Sequence, residues 1–170
     1  MTGADDAPPV VNGWRLYAHS LFLDQLEALV GEVERARRRD PEHYVRSNAA
    51  KRLAAVTKLA FDVIPQDPTR AAYRQGDTLG GEHTHWFRAA FFQQYRLFFR
   101  YSSDDTSIIY VWVNDDRSRR AYRSKTDAYR VFRRMLAAGN PPDTWDDLLG
   151  HATGNTRRMR RAAPVEDPDA

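Results

Sequence analysis

The 170-residue sequence contains no cysteine. That excludes disulfides, thiolate metal ligands and a cysteine nucleophile. It also lacks any apolar run approaching the roughly 18–20 residues that a membrane-spanning helix needs. Its first residues, MTGADDAPP, are polar and acidic and carry no apolar signal core. A cytoplasmic protein with no membrane partner is therefore expected. Gly76, Gly80 and Gly81 fit neither the P-loop nor the dinucleotide fingerprint, so no phosphate-cradling glycine loop is expected. Lysine is scarce: Lys51, Lys58 and Lys125 stand against 23 arginines.

What is present is ordinary in bulk and uneven in detail. Hydrophobic residues make up 42% and charged residues 29%, enough for one domain with a sizeable core. The net charge is +3 and the pI is near 9.3. Residues 1–73 hold 10 basic and 10 acidic side chains, and residues 135–170 hold 4 and 6. Residues 74–134 hold 12 basic and 7 acidic ones, so the excess is concentrated there. Basic charge gathered in one part of a fold is the footprint expected for a polyanion partner.

The chain divides into a disordered lead over 1–10, a single domain over 11–150 and a disordered tail over 151–170. Asn12-Gly13 marks a turn. Ser20 as N-cap, with Phe22, Leu26, Leu29, Val30 and Val33 at helical spacing, predicts a helix ending in Arg37-Arg38-Arg39. A second helix is expected over 42–62, with Tyr44, Leu53, Val56, Ala60 and Val63 on one stripe, making a helical hairpin with the first. Three runs of strand character follow: HWFRAAFF (85–92), YRLFFRYS (95–102) and TSIIYVWV (106–113). Their short separations predict an antiparallel meander. A third helix starts at Thr126 and stops at Gly139, and Thr144 with Asp147 forms a capping box for a last short helix. The fold class is α+β: an N-terminal helical hairpin packed on an antiparallel meander, with C-terminal helices.

Side chains alternate across a strand. In YRLFFRY, Tyr95, Leu97, Phe99 and Tyr101 form the expected core face, and Arg96, Phe98 and Arg100 the opposite, basic face. Arg88 on the preceding strand shares that basic face if the registers agree. On the third strand, Ile109, Val111 and Val113 are expected in the core, with Tyr110 and Trp112 beside the arginines. Guanidinium groups contact phosphate bidentately and aromatic rings stack on unpaired bases, so this face suits RNA. The strands carry no carboxylate except Asp104 and Asp105 at a turn, which argues against carboxylate-bound Mg²⁺. His83 and His85 are spaced i,i+2, but no cysteine or third histidine lies near them, so no zinc site is expected.

Several blocks in one order, NGWRLYAH, AAYRQGDTLG, YRLFFRYS, WVND, AYRSKTDAYRVF and GNPPDTW, resemble the YhaV toxin family of type II toxin–antitoxin systems. That family lies within the RelE-like ribonuclease superfamily. The resemblance runs from about residue 11 to 148 and implies a RelE-like fold. It implies a metal-independent endoribonuclease, needing no cofactor, that cleaves mRNA with ribosome involvement and inhibits translation. The 2′-hydroxyl would attack the adjacent phosphate. A PrlF-type antitoxin is implied as partner, with operator DNA reached only through it. By motif, Arg88 and Arg96 are implied as phosphate clamps, Arg120 as a further contact and Tyr122 as a stacking or acid–base group. Arg100, Trp112, Arg117, Arg119, Arg123 and Lys125 are candidate RNA contacts. Where the family carries lysines, this chain has GGEHTHWFR and Ala90, which makes His83 and His85 candidate acid–base groups. The alternatives are a catalytically inactive RNA- or ribosome-binding module and a gyrase-targeting toxin on the same fold.

Overall fold

The computed structural model describes residues 6–115 and 127–164. Among these, five strands form one mixed sheet in the order β1-β2-β5-β4-β3. β1 (Val10–Val11) and β2 (Trp14–Ala18) are a hairpin closed by Asn12 and Gly13, both at positive φ. This is the pair of left-handed positions a two-residue turn requires. β3 (Phe87–Phe91), β4 (Tyr95–Ser102) and β5 (Ser107–Val113) are the expected antiparallel meander. β2 was not foreseen. It runs parallel to β5, with Leu16 opposite Ile108.

α1 (Ser20–Arg39) buries Phe22, Leu23, Leu26 and Leu29. Its N-cap is His19 rather than the expected Ser20: the imidazole Nδ1 accepts from Leu21 N–H at 3.0 Å. The expected second helix is broken. A 3₁₀ turn (Tyr44–Arg46) precedes Ser47, whose hydroxyl caps α2 (Asn48–Lys58) by accepting from Ala50 N–H. A π turn (Leu59–Val63) then leads into α3 (Ile64–Gln66). The wider π turn shifts the phase of the buried stripe. Phe61 and Ile64 enter the core where Val63 was expected, and the Tyr110 hydroxyl donates to the Ala60 carbonyl.

α4 (Ala128–Ala137) is capped by Asp127, and Gly139 follows it at φ +81°. α5 (Trp145–Thr153) has the expected box: Thr144 Oγ1 accepts from Asp147 N–H and donates to Asp147 Oδ2. A disordered tail was expected from residue 151. Instead α5 continues to Thr153, and α6 (Thr156–Ala162) packs back on the domain with Met159 fully buried. A single methionine among arginines gives no apolar stripe to read, yet it fills a hole beside α1.

Both faces of the sheet are covered, making three layers. One core holds Leu16, Phe22, Leu26, Val56, Leu97, Phe99, Tyr110 and Met159. The other packs Trp86, Phe98, Ile109, Val111 and Trp112 against Tyr129, Phe132 and Leu136 of α4 and Leu148 of α5. The expected open basic face is therefore largely a second core, and Phe98 is fully buried within it. A bulge lies in the middle of the meander: Phe98 pairs with Trp112 but Phe99 pairs with Tyr110, so Val111 is the extra residue. Tyr110 thereby joins the first core while Ile109 and Val111 join the second, the reverse of the expected assignment; Val113 lies in the first core as expected. Among the described residues no helix is long and apolar enough to cross a membrane.

Candidate active site

The strand register brings two of the expected arginines together. Arg88 on β3 stands opposite Phe98, and Arg96 on β4 stands opposite Ala90, two positions further along the same face. α4 lies across this face, and Asp127 fixes its first turn by accepting from Tyr129 N–H. The Tyr129 ring packs edge-on against Phe98, at 5.6 Å between centroids. That contact sets its hydroxyl between the two arginines. Arg88 Nε donates to it at 2.8 Å and Arg96 Nε at 3.2 Å. One neutral oxygen thus holds two guanidinium groups side by side.

The remaining contacts of these arginines are also to neutral acceptors. Arg88 Nη1 donates to the Ala72 carbonyl, and Arg96 Nη1 to those of Gln93 and Tyr95. No carboxylate pairs with either among the described residues. The backbone of Arg96 is fixed as well: its N–H donates to Asn114 Oδ1, and Asn114 Nδ2 donates to the Gln94 carbonyl. Two adjacent half-buried cations, aligned but not neutralised, attract an anion. Arg96 is consequently not the freely solvated side chain that simple alternation suggested.

Arg100 is turned elsewhere. Its guanidinium lies between the rings of Trp86 and Trp145, at 5.5 and 5.7 Å from their centroids. Nη1 donates to the Asp143 carbonyl, and the buried Nε has no hydrogen-bond partner. Burial lowers the pKa of this guanidinium from its usual range, against the opposing charge of Asp143. Arg100 anchors the loop before α5 and is not laid out on an open surface. Trp112 is likewise not an open stacking platform. It is only 8% exposed and stacks on Phe98 and Phe132, at 5.8 and 5.7 Å. The expectation of base stacking there is corrected by α4, which covers the ring.

His83 and His85 are brought onto a carboxylate that sequence reasoning did not connect to them. His83 Nδ1 and His85 Nε2 lie 3.1 and 3.0 Å from Asp143 Oδ1, and the Trp86 indole N–H donates to the same oxygen at 2.8 Å. Burial alone would raise the Asp143 pKa. Hydrogen bonds from Trp86, His85 and His83 outweigh it and hold the carboxyl below its ordinary range. Arg117, Arg119, Arg120, Tyr122, Arg123 and Lys125 lie outside the described residues.

Tyr129, Asn114 and Asp143 were the residues missed. Each stands in a quoted block, KTDAY, WVND and GNPPDTW. The missing signal was spatial: nothing in those blocks says that they converge on β3 and β4.

Residues 16–153 match the model of the YhaV toxin family, described as a toxin with endonuclease activity, of toxin–antitoxin system. Over 145 residues the chain is 47% identical to the toxin YhaV of Escherichia coli O6:H1, covering 84% of this chain and 94% of that protein. The same identity and coverage hold for the ribonuclease toxin YhaV of Escherichia coli K12. No solved structure matches the chain.

Proposed function

The chain belongs to the YhaV family of toxins with endonuclease activity in toxin–antitoxin systems, and from that premise we propose that it is an endoribonuclease that cleaves mRNA at Arg88 and Arg96. The observation that carries this reading is the Arg88–Tyr129–Arg96 arrangement, in which two guanidinium groups are aligned by neutral acceptors. A phosphate between them would be matched by cations already partly buried and oriented. Such groups favour the pentacoordinate phosphorane, whose charge exceeds that of the ground state.

The reaction is internal transfer. The RNA 2′-hydroxyl attacks the adjacent phosphorus, the bond to the 5′-oxygen breaks, and a 2′,3′-cyclic phosphate and a 5′-hydroxyl result. One group accepts the 2′ proton and another protonates the leaving oxygen. No metal takes part. The histidine pair supplies the base, its imidazoles oriented by Asp143 as a carboxylate orients imidazole in hydrolase triads. Tyr122 supplies the acid, and Arg120 adds a phosphate contact from the segment 116–126. The physiological setting is cytoplasmic mRNA, engaged with the ribosome. A PrlF-type antitoxin restrains the activity and carries the complex to operator DNA.

The test is cleavage of mRNA by the purified chain, alone and with ribosomes. Arg88→Ala and Arg96→Ala are each expected to lower the cleavage rate roughly 10²–10³-fold, the range for removing one donor to a developing oxyanion. His83→Ala combined with His85→Ala is expected to lower it roughly 10²–10⁴-fold. Folded arginine variants that cleave at the parent rate would overturn the reading. Tight RNA binding by the parent without any cleavage would replace it with a binding module.

A further inference from the structure

The cluster at the entrance to β3 has a second chemical capacity. Sequence spacing offered only two imidazoles. The fold adds Asp143, and one ligand atom from each of His83, His85 and Asp143 lies within 4.8 Å of the others. We propose that these three residues bind a divalent transition metal, with Zn²⁺ as the best-matched ion.

Five features support this. The donor set of two imidazoles and one carboxylate is a common set for Zn²⁺. The spacing is close to what the ion needs. With bonds of about 2.0–2.1 Å, the ligand atoms of a tetrahedral site stand about 3.3 Å apart. Two of the three separations here are 3.1 and 3.0 Å. An ion entering among them would open those two edges slightly and draw the imidazoles toward each other. Each ring would shift its proton to its other nitrogen, presenting a lone pair at His83 Nδ1 and His85 Nε2.

The carboxylate is also already oriented from behind. The buried Trp86 indole donates to Oδ1, and Arg100 fixes the backbone carbonyl of the same residue. Hydrogen bonds of this kind around a ligand raise metal affinity by fixing its direction. The His83 loop is held too, because Gln75, itself buried, donates to the His83 carbonyl at 2.7 Å. Finally, the site is open on one side. The side chains of His83, His85 and Asp143 are 15%, 36% and 38% exposed, which leaves room for water as a fourth ligand.

The metal is not a participant in the proposed cleavage. It would bind the ring nitrogens that face Asp143, leave the protons on the opposite nitrogens assigned to proton transfer, and join the loop before β3 to the loop before α5. Zn²⁺ would then act as an inhibitor of the toxin. Only that last consequence rests on the histidines being the base; metal binding itself does not.

The experiment uses the full chain stripped with a chelator and dialysed. Zn²⁺ is titrated in competition with a chromophoric chelator, and Co²⁺ is titrated while its visible absorption is followed. One Zn²⁺ per chain at micromolar or tighter affinity is expected, with the intense Co²⁺ bands of a four-coordinate site. His85→Ala and Asp143→Asn are expected to weaken binding by more than about 10–100-fold, the loss typical when only a group behind a ligand is removed. His43→Ala, at a separate histidine–aspartate contact, is expected to bind as the parent does. Thermal melting of each variant checks that it folds. Zn²⁺ should raise the melting temperature of the parent and leave that of His85→Ala unchanged. No Zn²⁺ binding by the parent, or binding unaffected in the folded His85→Ala variant, would overturn the metal site. Parent protein that binds Zn²⁺ yet cleaves RNA at the metal-free rate would keep the site and overturn the base assignment.

Discussion

Two residues show how single side chains set the limits of this molecule. Tyr129 is 6% exposed, and its hydroxyl accepts from both Arg88 and Arg96. Tyr129→Phe keeps the ring contact with Phe98 and removes the shared acceptor. It should cost about 1–3 kcal/mol of stability, because two charged donors lose a partner. It should slow cleavage roughly 10–100-fold through misaligned arginines, with the loss in kcat rather than in KM for RNA. A parent-like kcat in a folded Tyr129→Phe variant would show that the tyrosine does not align the site. His19 sets a different limit. It is buried, stacked 4.0 Å from His151, and needs a lone pair on Nδ1 to cap α1. Burial first, and then His151, push its pKa down to about 4, against a smaller opposing effect of Asp24. At neutral pH the imidazole is mostly uncharged in both the folded and the unfolded chain. Between about pH 6.5 and 4 the unfolded chain takes up the proton first, so stability falls as pH falls through that window. A shift of this size corresponds to at most roughly 3 kcal/mol. His19→Asn keeps a capping oxygen without titrating there, and should flatten the loss of melting temperature between pH 7 and 5. An unaltered pH profile in that variant would assign the acid sensitivity to other groups.

Elements were legible where their own residues carried the pattern. The meander could be read because β3, β4 and β5 are consecutive, apolar and separated by short turns. α4 and the Thr144 box could be read from periodicity and capping chemistry. β2 could not, because WRLYA has too few residues to show a period and its partner is β5, some ninety positions later. The bulge at Val111 and the π turn over 59–63 were illegible for a related reason. Each is a one-residue slip chosen by packing: one places Tyr110 in the first core, the other offers it the Ala60 carbonyl. That the arginines of β3 and β4 share a face could be read, but their surroundings could not, because nothing local says that α4 returns to cover the sheet. α4 therefore makes a sharp prediction of its own. Phe132 is fully buried, with its ring 4.3 Å from Phe98, 5.1 Å from Trp86 and 5.7 Å from Trp112. Phe132→Ala should cost roughly 3–5 kcal/mol and weaken the near-ultraviolet circular dichroism of the ring cluster. Because the same helix positions Tyr129, cleavage should fall as well. A variant with parent stability would mean that α4 is not docked on the sheet as described.

At the scale of the whole molecule, the two faces of the sheet divide the work. One face carries the arginines, Tyr129 and the histidine cluster. The other is a core closed by α1, α2 and, from the far end of the chain, α6. The family match stops at residue 153, before α6 begins. That helix is tied in at several points. Asn155 Nδ2 donates to the Ala18 carbonyl and to Ser20 Oγ, joining the end of β2 to the start of α1. Met159 is fully buried, and Arg158 reaches Asp24 and Glu27. Those ion pairs are mostly exposed and are worth at most about 1 kcal/mol. The burial of Met159 is therefore the larger contribution, and Met159→Ala should cost roughly 2–5 kcal/mol, whereas Arg158→Ala should cost under about 1 kcal/mol. Ending the chain after Gly154 should lower the melting temperature at least as far as Met159→Ala does. Since α6 lies against the face opposite the arginines, the truncated chain should still cleave RNA at near the parent rate at low temperature, where both remain folded. Loss of cleavage in a truncated chain that is folded would mean that α6 supports the site directly, and an unchanged melting temperature would mean that it does not close the core at all.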